Sequence, residues 1–441
     1  MTHTRPTDAY DWRTPGIALG VLPAEICGLL DAFVAAGHGS AVALAVVRCR
    51  PEGDDVAFAH VVGRTSAARR RDDADNFAGA AAAEQANSGQ VVDADTYFDL
   101  ASLTKPIVTT SLLCGGITRG DFGLDDPVVL EGLDVESSTA MTLASLLGHG
   151  SGWPAWADFY AATATLATAP LARMRAIRRA VLATPFERPP EQVAVYSDLG
   201  FMALGWWLEA RAGVALDQLF NAEFVAPGHL HGLAFRRIHP EQVSEDTGLA
   251  VVAPRNCAVV ATEIWPARCE AGHPLQGVVH DDNAAGLLGV AGHAGLFGNL
   301  RGVAGFAASW LAAVGDGTRR LGRVGLGGAL SPDLAATLLA RSAAPGTTWR
   351  LGWDTPSKPK STAGSLASAR AFGHLGFVGT SVWIDPTRDA AVVLLTNRVH
   401  PTRTATAPIA ALRPAVHDAV WRWIDGAQPL RQRVAISSSR S

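Results

Sequence analysis

The sequence predicts an α+β fold in which one β-sheet is built from both ends of the chain, with a mainly helical part inserted between them. Valine-rich apolar runs at 41–47 and 56–62 predict two paired strands, and strand signals recur at 371–385 and 390–396. The stretch 115–299 is richer in helical patterns and loops. Strands from both ends that enclose helices indicate a single sheet with an insertion.

Composition and charge exclude several classes of function. The chain has 441 residues, 48% of them hydrophobic, which allows one large or two smaller packed domains and does not fit a disordered protein. A formal net charge of −4 indicates no nucleic-acid partner. The five cysteines show no metal-ligand spacing, and their odd number gives no complete disulfide set. Because no signal-peptide pattern and no apolar run of ~20 residues occurs, we predict a cytoplasmic protein without a membrane span.

The predicted elements follow one another as helix, strands, helices and strands. Apolar residues at helical spacing predict a helix at 23–36, which Gly37 ends. A second helix is expected to begin near Ser102, to run to about residue 113 and to end at Gly115 and Gly116. Further helices are predicted at 142–147, 171–184, 201–212 and 413–424, and a further strand at 349–353.

The domain boundaries follow from these elements. The prediction comprises an N-terminal arm at 1–20, a sheet domain from 21–114 and 300–426, a mainly helical domain at 115–299 and a tail at 427–441. Between 64 and 95 the composition shifts to Ala, Arg, Asp and Gly, which predicts an irregular insertion in the sheet domain. The sequence leaves the oligomeric state open.

The stretch 98–108 carries the strongest chemical signal. Ser102 and Lys105 are three residues apart at a predicted helix start, so the amine can reach the hydroxyl. A serine hydroxyl becomes a good nucleophile when a neighbour takes its proton, and an amine can do so when a desolvated or positively crowded site lowers its pKa. Of the 37 Lys and Arg residues only Lys105, Lys358 and Lys360 are lysines. Since arginine does not deprotonate in proteins, a lysine here indicates a need for a cation that can lose a proton.

Pro106 supports this helix start, because proline is tolerated in the first turn of a helix and not in its interior. The unpaired N–H groups of that first turn then lie near the Ser102 hydroxyl and favour a developing negative charge. The same serine–lysine spacing recurs at 357–360, but there it lies among prolines and hydroxyl residues that are typical of a solvated loop.

Two further stretches could carry chemistry, and each has a structural alternative. Tyr196 precedes a predicted helix that Ser197 or Asp198 can cap, and a tyrosine beside an ammonium can have a lowered pKa and accept a proton. The alternative is a core tyrosine with a satisfied hydroxyl. The run 372–381 has three glycines in a strand-like pattern, so an edge strand here can offer a backbone N–H to an oxyanion. The alternative is a tight turn with a buried His374.

Metal and nucleotide sites are not indicated. The stretches 280–283 and 292–295 hold the best candidate metal ligands, but neither has a recognised ligand spacing. The sequence contains no P-loop and no G-x-S-x-G nucleophile motif. We therefore predict no metal and no other cofactor.

These motifs, in this order, resemble the serine β-lactamase and penicillin-binding-protein superfamily, most closely its class C-like branch of esterases, D-aminopeptidases and DD-peptidases. Residues 102–105 match the S-x-x-K motif, 196–198 lie where the branch has Y-x-N, and 374–376 lie where it has K-T-G or H-x-G. The turns at 146–152 and 289–297 are also similar to turns of this family. The resemblance implies a mixed α/β sandwich, with an antiparallel sheet flanked by helices and an inserted all-helical domain.

The resemblance also implies a role for each motif. Ser102 would attack a carbonyl carbon and form an acyl-enzyme, which water would then hydrolyse. Lys105 and Tyr196 would share the general base and acid work. The backbone N–H groups of Ser102 and Phe377 would form the oxyanion hole.

Two departures from the family pattern bear on the substrate. Asp198 replaces an asparagine that helps to hold the lysine and the substrate amide, and an ionised carboxylate there would raise the pKa of Lys105. His374 replaces a lysine that in many members pairs with a substrate carboxylate, which favours an ester or a small peptide here. Together with Gly376 and Phe377, these two residues are predicted to form the substrate-binding and oxyanion side of the site.

The leading prediction is therefore a serine hydrolase that cleaves an ester or amide, including a D-amino-acid peptide or a β-lactam, with a small molecule or peptide as its partner. The alternative is a catalytically silent binding or structural protein on the same scaffold. Asp198 supports this alternative, and a shared fold does not by itself guarantee activity. The sequence does not name the substrate, since specificity lies in loops.

Overall fold

The computed structural model describes residues 19–48, 56–66, 89–133, 141–243, 258–269, 273–315, 326–357 and 359–426. The strands are β1 (Leu19–Val21), β2 (Ala41–Arg48), β3 (Val56–Gly63), β4 (Phe98–Asp99), β5 (Leu233–Phe235), β6 (Leu296–Gly298), β7 (Phe372–Leu375), β8 (Ser381–Asp385) and β9 (Ala390–Thr396). The α-helices are α1 (Ala24–Ala35), α2 (Ser111–Arg119), α3 (Leu143–Leu147), α4 (Phe159–Ala162), α5 (Pro170–Leu182), α6 (Asp198–Ala212), α7 (Leu216–Phe220), α8 (Asp282–Gly286), α9 (Leu300–Val314), α10 (Pro332–Ala340) and α11 (Ala407–Gly426).

The main sheet joins the two ends of the chain. Its six strands lie in the order β1-β3-β2-β9-β8-β7, so the early strand β2 pairs with the late strand β9 at the centre. The prediction of one sheet built from both ends is confirmed. Every pair in this sheet is antiparallel except β1 with β3, which are parallel. The short strand β1 was not predicted, and it includes the last two residues of the stretch 1–20 that we predicted to be an N-terminal arm.

The two faces of β2 belong to two different cores. Side chains at odd positions of 41–47 pack into the larger core, and those at even positions pack into a smaller core on the opposite face. This division arises because successive strand residues point to opposite sides of a sheet. All seven residues are buried, since helices cover both faces. A strand covered on both faces has a continuous apolar sequence rather than an alternating one, and this made it visible in the sequence.

Helices cover the sheet on both sides and complete the sandwich. On one face α9 packs against β2, β8 and β9 through residues that include Val303, Phe306 and Trp310. On the other face α1 and α11 pack against each other and against the sheet. The mixed α/β class that we predicted is confirmed. Within the described ranges, no helix is both long enough and apolar enough to cross a bilayer; the cytoplasmic location stays a prediction.

A second, smaller sheet has three short strands. Its strands lie in the order β4-β6-β5, and β4 leads directly into the segment that contains Ser102. The sequence did not predict β5 and β6, because each has only three residues and so shows no periodicity. The division into a sheet domain and an inserted helical domain stays a prediction, and most of the predicted irregular insertion, residues 67–88, lies outside the described residues.

Three predicted helix boundaries are wrong. The helix predicted at 201–212 begins three residues earlier, at Asp198. The helix after Ser102 does not end at Gly115 and Gly116 but continues to Arg119, and Gly120 ends it in the left-handed region at φ 77°. Gly116 lies inside α2 because the Phe122 ring packs against it; a Cβ there would lie 2.1 Å from that ring. The last helix begins at 407, six residues before the predicted start, and includes Pro414.

The predicted strand at 349–353 is also wrong. Arg350 and Trp353 form an isolated bridge with each other, and Gly352 turns the chain between them at φ 83°. A turn of this kind buries its apolar residues without a strand partner, so its sequence imitates a short strand. The predicted strand at 371–385 is interrupted, since residues 376–380 form the turn between β7 and β8.

The packed rings of Trp310, Trp353 and Phe372 should contribute strongly to the free energy of unfolding. Trp310 is fully buried, and its ring centroid lies 4.9 Å from that of Trp353 and 5.8 Å from that of Phe372. We expect Trp310→Ala to lower the free energy of unfolding by about 3–5 kcal/mol, because it leaves a cavity in a packed core. Urea denaturation measures this. Trp156→Ala is the matched control: that side chain is 50% exposed, and a change above about 0.5 kcal/mol there would contradict this account.

Candidate active site

A cleft of about 720 Å³ opens where the Ser102 segment, the start of α6 and the edge strand β7 meet. Six of the seven predicted site residues line it: Ser102, Tyr196, Asp198, His374, Gly376 and Phe377. The seventh, Lys105, is fully buried directly behind Ser102. The structure thus brings all seven residues to one place, although they come from three distant parts of the chain.

The chain enters the Ser102 segment through a strained turn. Ala101 has φ 47°, a left-handed conformation that alanine seldom adopts and that costs of order 1–3 kcal/mol. The buried Asp99 stabilises this turn: its Oδ1 accepts a hydrogen bond from the Ala101 N–H at 2.8 Å, and its Oδ2 accepts one from the His280 N–H at 2.6 Å. Asp99 therefore fixes the backbone just before Ser102. The sequence analysis missed it, although a side-chain bond to the N–H two residues later is a common aspartate habit.

The predicted helix after Ser102 is irregular. Residues Ala101–Leu103 form a 3₁₀ turn, Lys105–Thr110 form a π-helical stretch, and only then does α2 begin. The spacing of three residues still brings the Lys105 Nζ to 2.9 Å from the Ser102 Oγ. π-Helical turns are rare and are frequent at functional sites.

Within the described ranges, the Lys105 ammonium donates to three acceptors, and the Tyr196 hydroxyl also interacts with it. The three acceptors are the Ser102 Oγ, the Asp198 Oδ1 at 2.7 Å and the backbone carbonyl oxygen of His293 at 3.2 Å. The amine is 0% exposed, so no proton is left for water. Asp198 is the first residue of α6, and its own N–H donates to the carbonyl of Ala155 at 2.9 Å.

The pKa of Lys105 is raised, which differs from the lowered pKa that we expected for a desolvated amine. Burial lowers this pKa, but the Asp198 carboxylate and then the Tyr196 hydroxyl raise it, and their combined effect is the larger. An ion pair at 2.7 Å in a site closed to water outweighs the desolvation of the amine. The free protein therefore holds Lys105 as an ammonium.

Tyr196 lies beside the amine inside an aromatic box. The Lys105 Nζ lies 4.9 Å from the centroid of the Tyr196 ring, and the rings of His149 and Trp349 lie 4.6 and 5.0 Å from that ring. Burial raises the pKa of Tyr196, while Lys105 and a hydrogen bond with Ser102 act in the opposite direction, with burial the larger effect. The phenol is therefore protonated, and the lowered pKa considered in the sequence analysis does not occur.

His149 orients the Tyr196 segment and was missed as a site residue. Its Nδ1 accepts a hydrogen bond from the Ser197 N–H at 3.2 Å, while the Ser197 Oγ donates to the Pro154 carbonyl at 2.8 Å. Burial and then the charge of Lys105 hold the pKa of His149 well below its usual value, so the ring is neutral. The sequence signal for it was the glycine on either side, which is typical of a tight turn; in the structure His149 itself has a φ of 60°.

The edge strand β7 brings His374 to the cleft in a neutral form. His374 Nδ1 donates to the Leu375 carbonyl oxygen at 2.9 Å, and its buried Nε2 has no hydrogen-bond partner within the described ranges. Burial and then Lys105 lower the pKa of His374 to about 3. At neutral pH this residue therefore carries no charge toward a substrate.

The end of β7 comes very close to the Ser102 segment. A Cβ on Gly376 would lie 2.6 Å from the Leu100 carbonyl oxygen and 2.0 Å from the Thr380 Oγ1, so glycine is required there. In the part of the chain that the structure describes, the next N–H, that of Phe377, donates to no acceptor. The Phe377 ring is 52% exposed and stacks on His280 at a centroid distance of 5.7 Å.

The two stretches considered for metal binding also meet here. The Oδ1 of Asp281 lies 3.0 Å from the Nε2 of the buried His293, and ligand atoms of Asp198, Asp281 and His293 all lie within 4.8 Å of one another. The pKa of Asp281 is lowered: burial raises it, but His293 and Lys105 outweigh that effect. A metal ion bound by these three groups would compete with the Lys105 ammonium for Asp198, so we assign the positive charge of this site to the lysine.

Comparisons with known proteins agree with this architecture. A protein of Escherichia coli (strain K12) named "Putative D-alanyl-D-alanine carboxypeptidase" is 28% identical over 326 residues, which cover 69% of this chain and 70% of that protein. The solved structure of EstCE1, "a hydrolase with promiscuous acyltransferase activity", has a TM-score of 0.59 at 18% identity and covers 90% of this chain and 97% of its own. A class C β-lactamase from Rhodobacter sphaeroides has a TM-score of 0.56 at 15% identity, with 91% and 100% covered. These structures show a common fold.

The family itself follows from the sequence match. Residues 29–416, which include five of the six strands of the main sheet and every residue of the cleft described above, match the Beta-lactamase family. The resemblance inferred from the three ordered motifs is thereby confirmed. The chain belongs to the beta-lactamase family.

Proposed function

We propose that this protein is a serine hydrolase that cleaves an ester or amide bond through an acyl-enzyme on Ser102. The observation that carries the proposal is the 2.9 Å contact between the Lys105 amine and the Ser102 hydroxyl at the wall of an open cleft. A nucleophile within hydrogen-bond reach of a possible base is the geometry that this chemistry needs.

The proposed reaction has two halves. The Ser102 oxygen forms a bond to the substrate carbonyl carbon and its proton passes to Lys105 in the neutral form; the bond to the leaving group then breaks, and the leaving group takes a proton through Tyr196. A water molecule next attacks the acyl carbon, gives a proton to the same pair of residues, and releases the acid and the Ser102 hydroxyl. Each half forms an oxyanion, which the N–H groups of Ser102 and Phe377 would stabilise.

The protonation state of Lys105 limits the rate in this proposal. Since the pKa values of Lys105 and Tyr196 are both raised, the free protein holds both in the protonated form at neutral pH. Only the small fraction with a neutral Lys105 can accept the proton of Ser102. Activity should therefore rise as pH increases through the pKa of Lys105.

Only the names of similar proteins narrow the substrate class further than an ester or an amide. The E. coli relative is named as a carboxypeptidase for D-alanyl-D-alanine and EstCE1 as a hydrolase with acyltransferase activity, so we include D-amino-acid peptides and small esters as candidates. A β-lactam is a third candidate, which Asp198 makes the least favoured because it stands in place of the family's asparagine. A panel of p-nitrophenyl esters, D-alanyl peptides and nitrocefin distinguishes the three.

A catalytically silent binding protein is the second candidate, and the Lys105–Asp198 ion pair favours it. A carboxylate 2.7 Å from the amine stabilises the ammonium, which is the form that cannot act as a base. Detectable turnover on the same panel that Lys105→Ala abolishes would exclude this candidate. Absence of turnover together with tight binding of one panel member would support it.

The first prediction concerns the nucleophile. A fluorophosphonate probe should label the protein at Ser102, Ser102→Ala should take up no adduct, and Lys105→Ala should slow labelling by about 100-fold or more, as expected for loss of a general base. Intact-protein mass spectrometry measures the adduct. Lys360→Ala is the matched control, since Lys360 is an exposed loop lysine, and it should label like the unmodified protein. Equal labelling of Ser102→Ala would end the proposal.

The second prediction concerns pH. Removing the negative charge in Asp198→Asn lowers the pKa of Lys105, so the neutral amine appears at lower pH and the rising limb of kcat against pH moves toward acid. We expect a displacement of about one pH unit or more, the usual effect of one adjacent charge. Asp333→Asn, a first-turn carboxylate of α10, is the control and should leave the limb in place. A limb that stays or moves toward alkali in Asp198→Asn would exclude Lys105 as the base.

A further inference from the structure

A closed ring of contacts surrounds the proposed nucleophile. Its members, in order, are Ser102, Lys105, His293, Asp281, His280, Asp99 and Ala101. Each member is joined to the next either by a hydrogen bond of 3.2 Å or less or by the peptide bond between neighbours. The ring connects the nucleophile to the segment 280–293, and Asp99 is the residue that closes it on the side where the chain enters Ser102.

Asp99 occupies an unfavourable place for a carboxylate. It is 2% exposed, and within the described ranges no lysine or arginine forms an ion pair with it. Burial raises the pKa of Asp99, while the N–H groups of His280 and Ala101 act in the opposite direction, with burial the larger effect. A carboxyl group taken out of water without a cation destabilises the fold, so its presence here points to a backbone position that must be held.

The position that Asp99 holds is the strained Ala101. At φ 47° this alanine lies in the left-handed region, and a return to the right-handed region would rotate the peptide plane between residues 101 and 102. The N–H of Ser102 belongs to that plane. The hydrogen bond from the Ala101 N–H to the Asp99 Oδ1 therefore also sets the direction of the Ser102 N–H, which we assign to the oxyanion.

The other partner of Asp99 contacts the second proposed oxyanion donor. The His280 N–H donates to the Asp99 Oδ2, and the His280 ring stacks on Phe377 while its Nε2 lies 3.0 Å from the Glu263 Oε2. Through its backbone His280 binds Asp99, and through its side chain it contacts Phe377. The two N–H groups of the proposed oxyanion hole are therefore linked through this one carboxylate.

We propose that Asp99 is a positioning residue for catalysis, which holds Ala101 in the left-handed conformation and thereby aims the Ser102 N–H at the oxyanion. This role rests on the proposed function, because it concerns the transition state of the same site. Asp99 itself does not line the cleft and touches no substrate. Its loss should therefore lower kcat and leave KM nearly unchanged, since the oxyanion forms only after binding.

Asp99→Asn tests this role, because an amide has one acceptor oxygen and cannot accept from both N–H groups. On the panel substrate that the unmodified protein hydrolyses best, kcat should fall by roughly 5- to 150-fold with KM within about twofold, as for one buried hydrogen bond left unmade. Equal kcat in the variant and the unmodified protein would overturn the role.

Asp385→Asn is the matched control. Asp385 is also fully buried and accepts two backbone N–H groups, from Ser368 at 3.1 Å and Thr387 at 3.0 Å, but it lies at the end of β8 and does not line the cleft. This variant can lose stability but should keep kcat within about twofold. A loss of kcat as large as that of Asp99→Asn would show a general effect of folding and overturn the role.

A glycine at position 101 separates positioning from folding. Because glycine adopts the left-handed conformation without strain, Ala101→Gly removes most of what Asp99 has to hold. In the Ala101→Gly background, Asp99→Asn should cost at least about fivefold less in kcat than in the unmodified protein. If Asp99→Asn alone does not fold, recovery of folded protein in the double variant is the expected result. Equal losses in both backgrounds, or a double variant that also fails to fold, would overturn the role.

Hydrogen exchange keeps the test independent of catalysis. Measured by mass spectrometry, amide exchange in a peptide covering 98–105 should be faster by about fivefold or more in Asp99→Asn and unchanged in Asp385→Asn. If the unmodified protein hydrolyses no panel substrate and takes up no fluorophosphonate, the proposed function fails, and the exchange alone decides whether Asp99 holds this turn. Unchanged exchange in Asp99→Asn would overturn it.

Discussion

The buried ion pair between Lys105 and Asp198 is the constraint on which the rest of the site depends. An ammonium that is closed to water needs an acceptor for each proton, and here the acceptors come from its own segment, from the start of α6 and from the turn before β6. Removing one partner of such a pair leaves an uncompensated buried charge and is strongly destabilising. The middle segment of the chain is therefore fixed against the Ser102 segment by the same contacts that surround the proposed base.

One fixed cation also determines the charge of its neighbours. His149 and His374 both lie near Lys105, and in each case burial followed by its charge lowers the histidine pKa. A second cation at position 374 would be opposed by the first, so the site there contains a neutral ring whose Nδ1 is occupied by the Leu375 carbonyl. Next to the Lys105–Asp198 pair, Asp281 and His293 form a second pair at 3.0 Å.

The features that the sequence predicted correctly are those that a local residue pattern encodes. The central strands β2 and β9 were visible because strands covered on both faces have continuous apolar runs, and Ser102 with Lys105 was visible because a spacing of three residues brings side chains together in any helical turn. Trp349 was not found, because its ring partners His149 and Tyr196 lie more than 150 residues away and nothing near it in sequence shows the contact. Asp99 was missed although its bond to the Ala101 N–H is local, because its second partner, the His280 N–H, is distant. The helix end was misplaced at Gly115 and Gly116 for the same reason: only the tertiary contact with Phe122 explains why a glycine lies inside α2.

Whether the protein is a hydrolase or a silent binder depends on where one proton lies. The geometry of the nucleophile is the same in both cases, and the strain at Ala101, which Asp99 stabilises, is equally present. A protonated Lys105 can stabilise charge but cannot accept the proton of Ser102, whereas a neutral one can.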